Sequence, residues 1–227
     1  MSAEALKEQA AREAVKHVES GMTVGLGTGS TARYAILGIA EMLRHGEIRD
    51  IRAAATSKET ERLASEGGIP LFDIGAEGVD VAIDGMDEVT DNLDVIKGLG
   101  GALLREKIVE SRARLFILIG DVSKRVSRLG EKTPVPVEIL EFGFGATRKD
   151  LEKLGCRPVL REKNGTPARS DNHNLIVDCY FDTPFDPHEI AAAISQTPGV
   201  LEHGLFLDMA KLAYVADGER VLRLERP

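Results

Sequence analysis

The stretch TVGLGTGSTARYAILGIAEML, residues 23–43, decides the fold. Its first five residues are a short apolar run suited to a buried strand. Glycine, threonine and serine fill residues 27–31, after which Ala35, Ile36, Ile39, Ala40 and Leu43 recur at helical spacing. A strand, a glycine turn and a helix in that order open a βαβ unit. Gly27 and Gly29 carry no Cβ to block a close approach to the backbone, and Ser30 and Thr31 add hydroxyls at a helix N-terminus. Such a turn offers N–H groups and the positive end of a helix dipole to an anion. Two readings stay open from this segment: a phosphate cradle, or a tight turn with Ser30 or Thr31 capping the helix. The common nucleotide loops fit poorly. A GxGxxG pattern needs glycine at position 30, where Ser30 stands, and a Walker A loop needs a Gly-Lys dipeptide that the chain lacks.

Outward from that stretch, residues 4–19 read as an amphipathic helix closed by Gly21. Downstream, residues 51–55 read as a strand, 58–65 as a helix, and 69–72 and 79–83 as strands. Residues 102–111 then read as a helix and 115–119 as a strand. Alternating β and α with continuously apolar strands predicts an α/β, Rossmann-like, mostly parallel sheet flanked by helices. Functional residues then belong at strand C-termini. From Pro134 the rhythm changes to strand 137–140, helix 147–154, strand 157–162, a turn at Asn164 and Gly165, strand 174–181, helix 187–195 and strand 200–206. That βαββαβ order is a ferredoxin-like α+β unit. The expected organisation is a Rossmann-like catalytic domain over 1–130 plus 207–227, ending in a hairpin, and a smaller ferredoxin-like domain over 131–206.

The 227 residues are 43% hydrophobic and carry a net charge of −8, which sets the chain apart from disordered and fibrous classes. No basic stripe occurs, so nucleic acid is not an expected partner. An anionic small molecule remains possible, since one local basic pocket suffices. The apolar runs are far too short to span a bilayer, and the N-terminal residues have no signal-peptide character. A cytoplasmic protein without membrane association is expected. Cys156 and Cys179 have no metal-ligand spacing and read as reduced structural thiols.

Three further segments could carry chemistry. In AIDGMDEV, residues 82–89, Asp84 and Asp87 flank Gly85 and Met86 at the end of a buried strand. Carboxyls there can have raised pKa values and serve proton transfer, or they can simply bond their own backbone in an Asx-type turn. With no histidine at ligand spacing, no metal site is expected. In KGLGGALLREKIVE, residues 97–110, Lys97 precedes the turn of Gly98, Leu99, Gly100 and Gly101, and a helix follows in which Leu103, Glu106 and Glu110 share a face. Glu106 is either a desolvated base or part of a solvated charged face with Arg105 and Lys107, the second being the commoner outcome for such a run. Lys97 alone would ordinarily be a surface lysine. In DVSK, residues 121–124, Lys124 lies at a strand C-terminus and is either an anion ligand or a turn lysine.

These segments, with DNHNLIVD at 171–178, the LGCRP segment and PGVLEHGLF near residue 200, resemble the type A ribose-5-phosphate isomerase family over nearly the whole chain. The resemblance implies that Thr28, Gly29, Ser30 and Thr31 bind substrate, as do Gly85, Met86, Gly98, Leu99 and Gly100. It implies Glu106 as general base, Lys97, Asp84 and Asp87 as its catalytic companions, and Lys7 and Lys124 as phosphate ligands. Leu99 stands where many relatives have glycine. The implied reaction interconverts ribose 5-phosphate and ribulose 5-phosphate through an enediolate, with no cofactor and no metal, in a homo-oligomer that is usually a dimer. Two rival readings are an amino-sugar phosphate deaminase or isomerase, which would release ammonia, and a sugar-phosphate sensor, for which no helix-turn-helix accompanies the domain.

Overall fold

The computed structural model of the chain describes residues 2–226. Helix α1 (Ala3–Ala14) begins at Ser2, whose hydroxyl accepts the Ala5 N–H, and it buries Ala10, Ala11 and Ala14. Next come β1 (Thr23–Leu26), α2 (Ala32–Arg44), β2 (Arg52–Ala55), α3 (Lys58–Glu66) and β3 (Val79–Gly85). Two short strands, β4 (Glu88–Val89) and β5 (Val95–Ile96), lead to α4 (Leu103–Glu110) and β6 (Ala113–Asp121). The chain continues through β7 (Val135–Ile139), α5 (Phe144–Glu152), β8 (Arg157–Leu160), the small hairpin β9 (Glu162–Lys163) and β10 (Thr166–Pro167), β11 (Leu175–Tyr180) and α6 (Pro187–Ser195). It closes with β12 (Val200–His203), β13 (Leu205–Phe206), β14 (Leu212–Ala216) and β15 (Val221–Glu225).

The main sheet has the order β15-β14-β6-β3-β1-β2. Strands β14 to β2 run parallel, and β15 folds back antiparallel as the expected hairpin. Successive side chains of β3 and β6 point to opposite faces, as a pleated strand requires. Val81, Ile83, Ile117 and Ile119 pack with α1 and α2, whereas Ala82, Phe116 and Leu118 pack with Val109 of α4 and with Phe206. Both faces are therefore covered, which explains the continuously apolar strands. The parallel strands place their C-terminal ends on one edge, where residues 27–31, 84–87 and 120–124 emerge.

A second sheet of order β12-β7-β11-β8 is antiparallel throughout, with α5 and α6 packed against one face. This is the ferredoxin-like arrangement. Cys156 and Cys179 are buried, unpaired thiols in its core. At the passage between the sheets Glu88 is fully buried, and its carboxylate accepts the N–H groups of Gly130, Lys132 and Thr133.

Two expectations need correction. Residues 69–72 do not form a strand: Leu71 makes a single bridge to Ala53, and Pro70 has no N–H with which to extend a ladder. The run 200–206 is two strands in two sheets. Its break is Gly204, where an added Cβ would lie 2.2 Å from the Lys97 carbonyl oxygen. There β13 leaves the second sheet and joins β5 and β4 in a third, which the sequence reading did not foresee.

Candidate active site

A cavity of about 290 Å³ opens at the C-terminal ends of β1, β3 and β6. Thr28, Gly29, Ser30 and Thr31 form one wall, Gly85, Met86 and Asp87 a second, and Lys97, Gly98, Gly100 and Glu106 a third. Lys7 reaches in from α1, and Lys124 from the short helical turn after β6. Two of the residues expected there do not line it. Asp84 is buried beneath Lys97, and the Leu99 side chain is exposed, its backbone N–H donating at 3.0 Å to Asp87 Oδ2. Of the two aspartates it is Asp87 that faces the cavity.

The glycine loop is shaped from below. An added Cβ at Gly27 would stand 2.1 Å from the Asp84 carboxyl, so the close approach that this glycine allows is to Asp84. Asp84 Oδ1 in turn accepts the N–H groups of Thr28 at 3.0 Å and Gly85 at 2.6 Å. The Asx-type reading of Asp84 thus holds for one oxygen only. Gly29 has φ +104°, a conformation open mainly to glycine. Thr31 occupies the cap position of α2 without a side-chain capping bond, so its hydroxyl is not used as the capping alternative supposed. Thr28 Oγ1 points away from the turn, to Thr56 Oγ1 at 2.7 Å and Thr60 Oγ1 at 3.2 Å. This hydroxyl cluster was not foreseen.

Lys97 is only 3% exposed, which overturns the surface-lysine reading. Its Nζ lies 2.7 Å from Asp84 Oδ2, 3.5 Å from Glu110 Oε1 and 3.6 Å from Glu106 Oε2, and it donates to the Gly85 carbonyl at 2.9 Å. Burial pulls the lysine downward, but the surrounding carboxylates outweigh it and hold the ammonium above its ordinary pKa. Glu106 is also 3% exposed. Burial pushes its carboxyl up to about 8, against the opposing pull of Lys97, with Asp84 and Asp87 adding repulsion. Asp87 is raised as well, chiefly by burial.

The charged-face reading of residues 105–107 is likewise overturned, because the second sheet covers this helix. Arg105 Nε donates to Asn172 Oδ1 at 3.0 Å, and Lys107 Nζ meets Glu202 Oε1 at 2.7 Å and stands 4.6 Å from the centre of the Phe206 ring. A brace from Arg161, just after β8, and Asp178 of β11 was also missed. Arg161 is held by both oxygens of Asp178, and its Nη1 donates to the carbonyls of Gly98 at 3.0 Å and Leu99 at 2.9 Å. The sequence signals for these contacts are weak: Glu110 follows Glu106 by one helical turn, but Arg161 and Asp178 have no local pattern.

Comparison with known proteins identifies the family. The family profile described as Ribose 5-phosphate isomerase A (phosphoriboisomerase A) matches residues 52–220. A protein of Roseiflexus castenholzii named ribose-5-phosphate isomerase A is 47% identical over 223 residues, 97% of this chain and 95% of that protein. The ribose 5-phosphate isomerase structure from Plasmodium falciparum superposes with a TM-score of 0.95 at 41% identity, covering 98% of each chain. A D-ribose-5-phosphate isomerase in complex with phospho-erythronic acid gives 0.96 at 41% identity, covering 100% of each chain. At such identity and coverage, the chain belongs to the ribose 5-phosphate isomerase A family.

Proposed function

We propose that the chain interconverts ribose 5-phosphate and ribulose 5-phosphate, with Glu106 as the group that moves the proton between C2 and C1. The carrying observation is a carboxyl on the cavity wall, almost sealed from water, with its pKa pushed up to about 8 and a fixed ammonium 3.6 Å away. A base tuned near the working pH accepts and returns a proton with little bias either way. Glu106 takes the C2 hydrogen of the open-chain aldose as a proton, and the electron pair moves into the C1 carbonyl to give the enediolate. A proton passes between the two oxygens, and Glu106 then returns its proton to C1.

Lys97 serves as constant positive charge rather than as an acid, since its neighbours hold it protonated. Charge already in place where an oxyanion develops lowers the barrier without reorganisation. Asp87, facing the cavity, relays the hydroxyl protons and assists ring opening, while Asp84 fixes Lys97 and the loop from below. Gly29, Ser30 and Thr31 at the start of α2, with Lys7 and Lys124, hold the phosphate. Gly98 and Gly100 admit the sugar close to the backbone, with Leu99 contributing through its main chain. The likeness to a relative bound to phospho-erythronic acid supports this reading, because the planar carboxylate of an aldonate matches the shape and charge of an enediolate.

In this reading residues 1–130 with 207–227 form the catalytic domain and 131–206 the smaller one, the chain works as a homodimer, and it resides in the cytoplasm. The test is formation of ribulose 5-phosphate from ribose 5-phosphate by the purified protein, alongside Glu106→Gln. Turnover by the wild type and its collapse in the variant are expected. Tight sugar-phosphate binding without turnover in the wild type would overturn the reading.

A further inference from the structure

Helix α4 carries a second inward carboxyl, Glu110, one turn beyond Glu106. Its side chain is 1% exposed, and it does not line the cavity. Neither of its oxygens accepts a hydrogen bond from the described residues. Carboxylates four residues apart on a helix repel when both are ionised, and a buried carboxylate without donors is costly. The charged groups facing Glu110 are Asp84 on β3, Lys97 on the segment after β5 and Glu106 on its own helix.

Counting donors shows which acid keeps its proton. An ammonium has three N–H groups. In Lys97 one is directed to the Gly85 carbonyl, Asp84 Oδ2 stands 2.7 Å from the nitrogen as its ion-pair partner, and Glu106 at 3.6 Å and Glu110 at 3.5 Å compete for what remains. One buried positive charge cannot balance three negative ones. Asp84 has the strongest claim to its charge, with the Lys97 contact and two backbone donors. Glu106 opens onto the cavity. Glu110 has neither donor nor solvent, and burial raises its carboxyl well above the ordinary range.

We propose that Glu110 is a positioning residue for the isomerisation: a neutral acid that donates its hydrogen to the otherwise unpartnered Asp84 Oδ2, fastens that aspartate beneath Lys97 and leaves the ammonium's remaining attraction to Glu106. The inference rests on the assignment of Glu106 as base. Glu110 touches no substrate atom and acts through Asp84 and Lys97. Its neutrality keeps one more negative charge away from the base, beyond those of Asp84 and Asp87.

The experiment compares Glu110→Gln, Glu110→Ala and Glu106→Gln in the isomerase assay across pH. Glutamine is neutral and retains a donor, so kcat within about threefold of wild type and an unmoved pH profile are expected. Alanine removes the fastening, so kcat falls about tenfold or more while KM for ribose 5-phosphate stays within about threefold. Glutamine as damaging as alanine, alanine without effect, or a pH midpoint that moves down in Glu110→Gln would each overturn the proposal. The last would show that an ionised carboxylate had been removed. Infrared difference spectra at neutral pH, wild type minus Glu110→Gln, give a check that does not depend on activity or on the alanine variant folding. A protonated-carboxyl band is expected, and its absence overturns the proposal. Normal turnover in Glu106→Gln would instead sink the base assignment itself.

Discussion

The Lys97 ammonium and the Asp84 carboxylate meet at 2.7 Å with 3% and 1% of their side chains exposed. Both groups come from segments that also shape the cavity. Asp84 holds the turn after β1 through the Thr28 N–H, and Lys97 presents its charge to Glu106. Disturbing either alters the loop and the field together.

Replacing Glu106 by glutamine keeps the side-chain shape and removes the proton acceptor. The expected loss in kcat is about 10² to 10⁴-fold, with the fold intact by circular dichroism. Steady-state turnover of ribose 5-phosphate checks it, and near-normal kcat would refute the base assignment.

The pH dependence follows from the same carboxyl. Glu106 acts in its ionised form and is raised to about 8, so kcat/KM climbs as pH rises toward about 8 and then levels. An activity that already plateaus near pH 5 would contradict this.

Stability has the opposite trend. The native state keeps the Glu106 proton up to about 8, whereas an unfolded chain releases it near 4.5, so native protein binds the extra proton between these values. Stability contributed by this group is therefore lost as pH rises through that window. The melting temperature of Glu106→Gln relative to wild type should climb from acid to alkaline pH, by about 2–4 °C for each kcal/mol in a chain of this size. A difference that does not change with pH would count against it.

The phosphate end is tested by Thr31→Ala and Lys124→Ala. Each should raise KM for ribose 5-phosphate by about tenfold, the worth of roughly one charge-assisted hydrogen bond, with kcat less affected. Binding of unphosphorylated ribose should scarcely change. Equal effects on both sugars would remove these residues from the phosphate site.

Arg161 offers a test remote from the cavity. Arg161→Ala frees the Gly98 and Leu99 carbonyls and leaves Asp178 without its partner, so kcat and KM should both worsen, by about tenfold in kcat/KM. Arg161→Lys cannot reproduce the planar fork and should rescue little. Kinetics indistinguishable from wild type in the alanine variant would show that the loop needs no brace.

Much of the architecture was legible because it is written locally. Runs such as 115–119 are apolar throughout because both faces of the sheet are covered, and the change of rhythm after Pro134 marks the second sheet. Strands β4 and β5 escaped notice because two residues carry no periodicity, and β13 was read as the end of strand 200–206. The site was legible in its glycines and in Asp84, Asp87 and Lys124, which sit at strand ends. Lys97 and the run 105–107 misled because their burial comes from Phe206, β12 and the segment near Asn172, far away in sequence. Nothing local in residues 97–110 announces those neighbours.

The carboxylate of Glu88, with its three amide donors at the passage between the sheets, limits how the molecule can breathe. A clamshell motion about that passage would strip Gly130, Lys132 and Thr133 from a buried acid at once, an uphill step. The carboxylate thereby opposes hinge opening at the place where the chain passes from one sheet to the other, and leaves the glycine turns at the cavity mouth as the less restrained part.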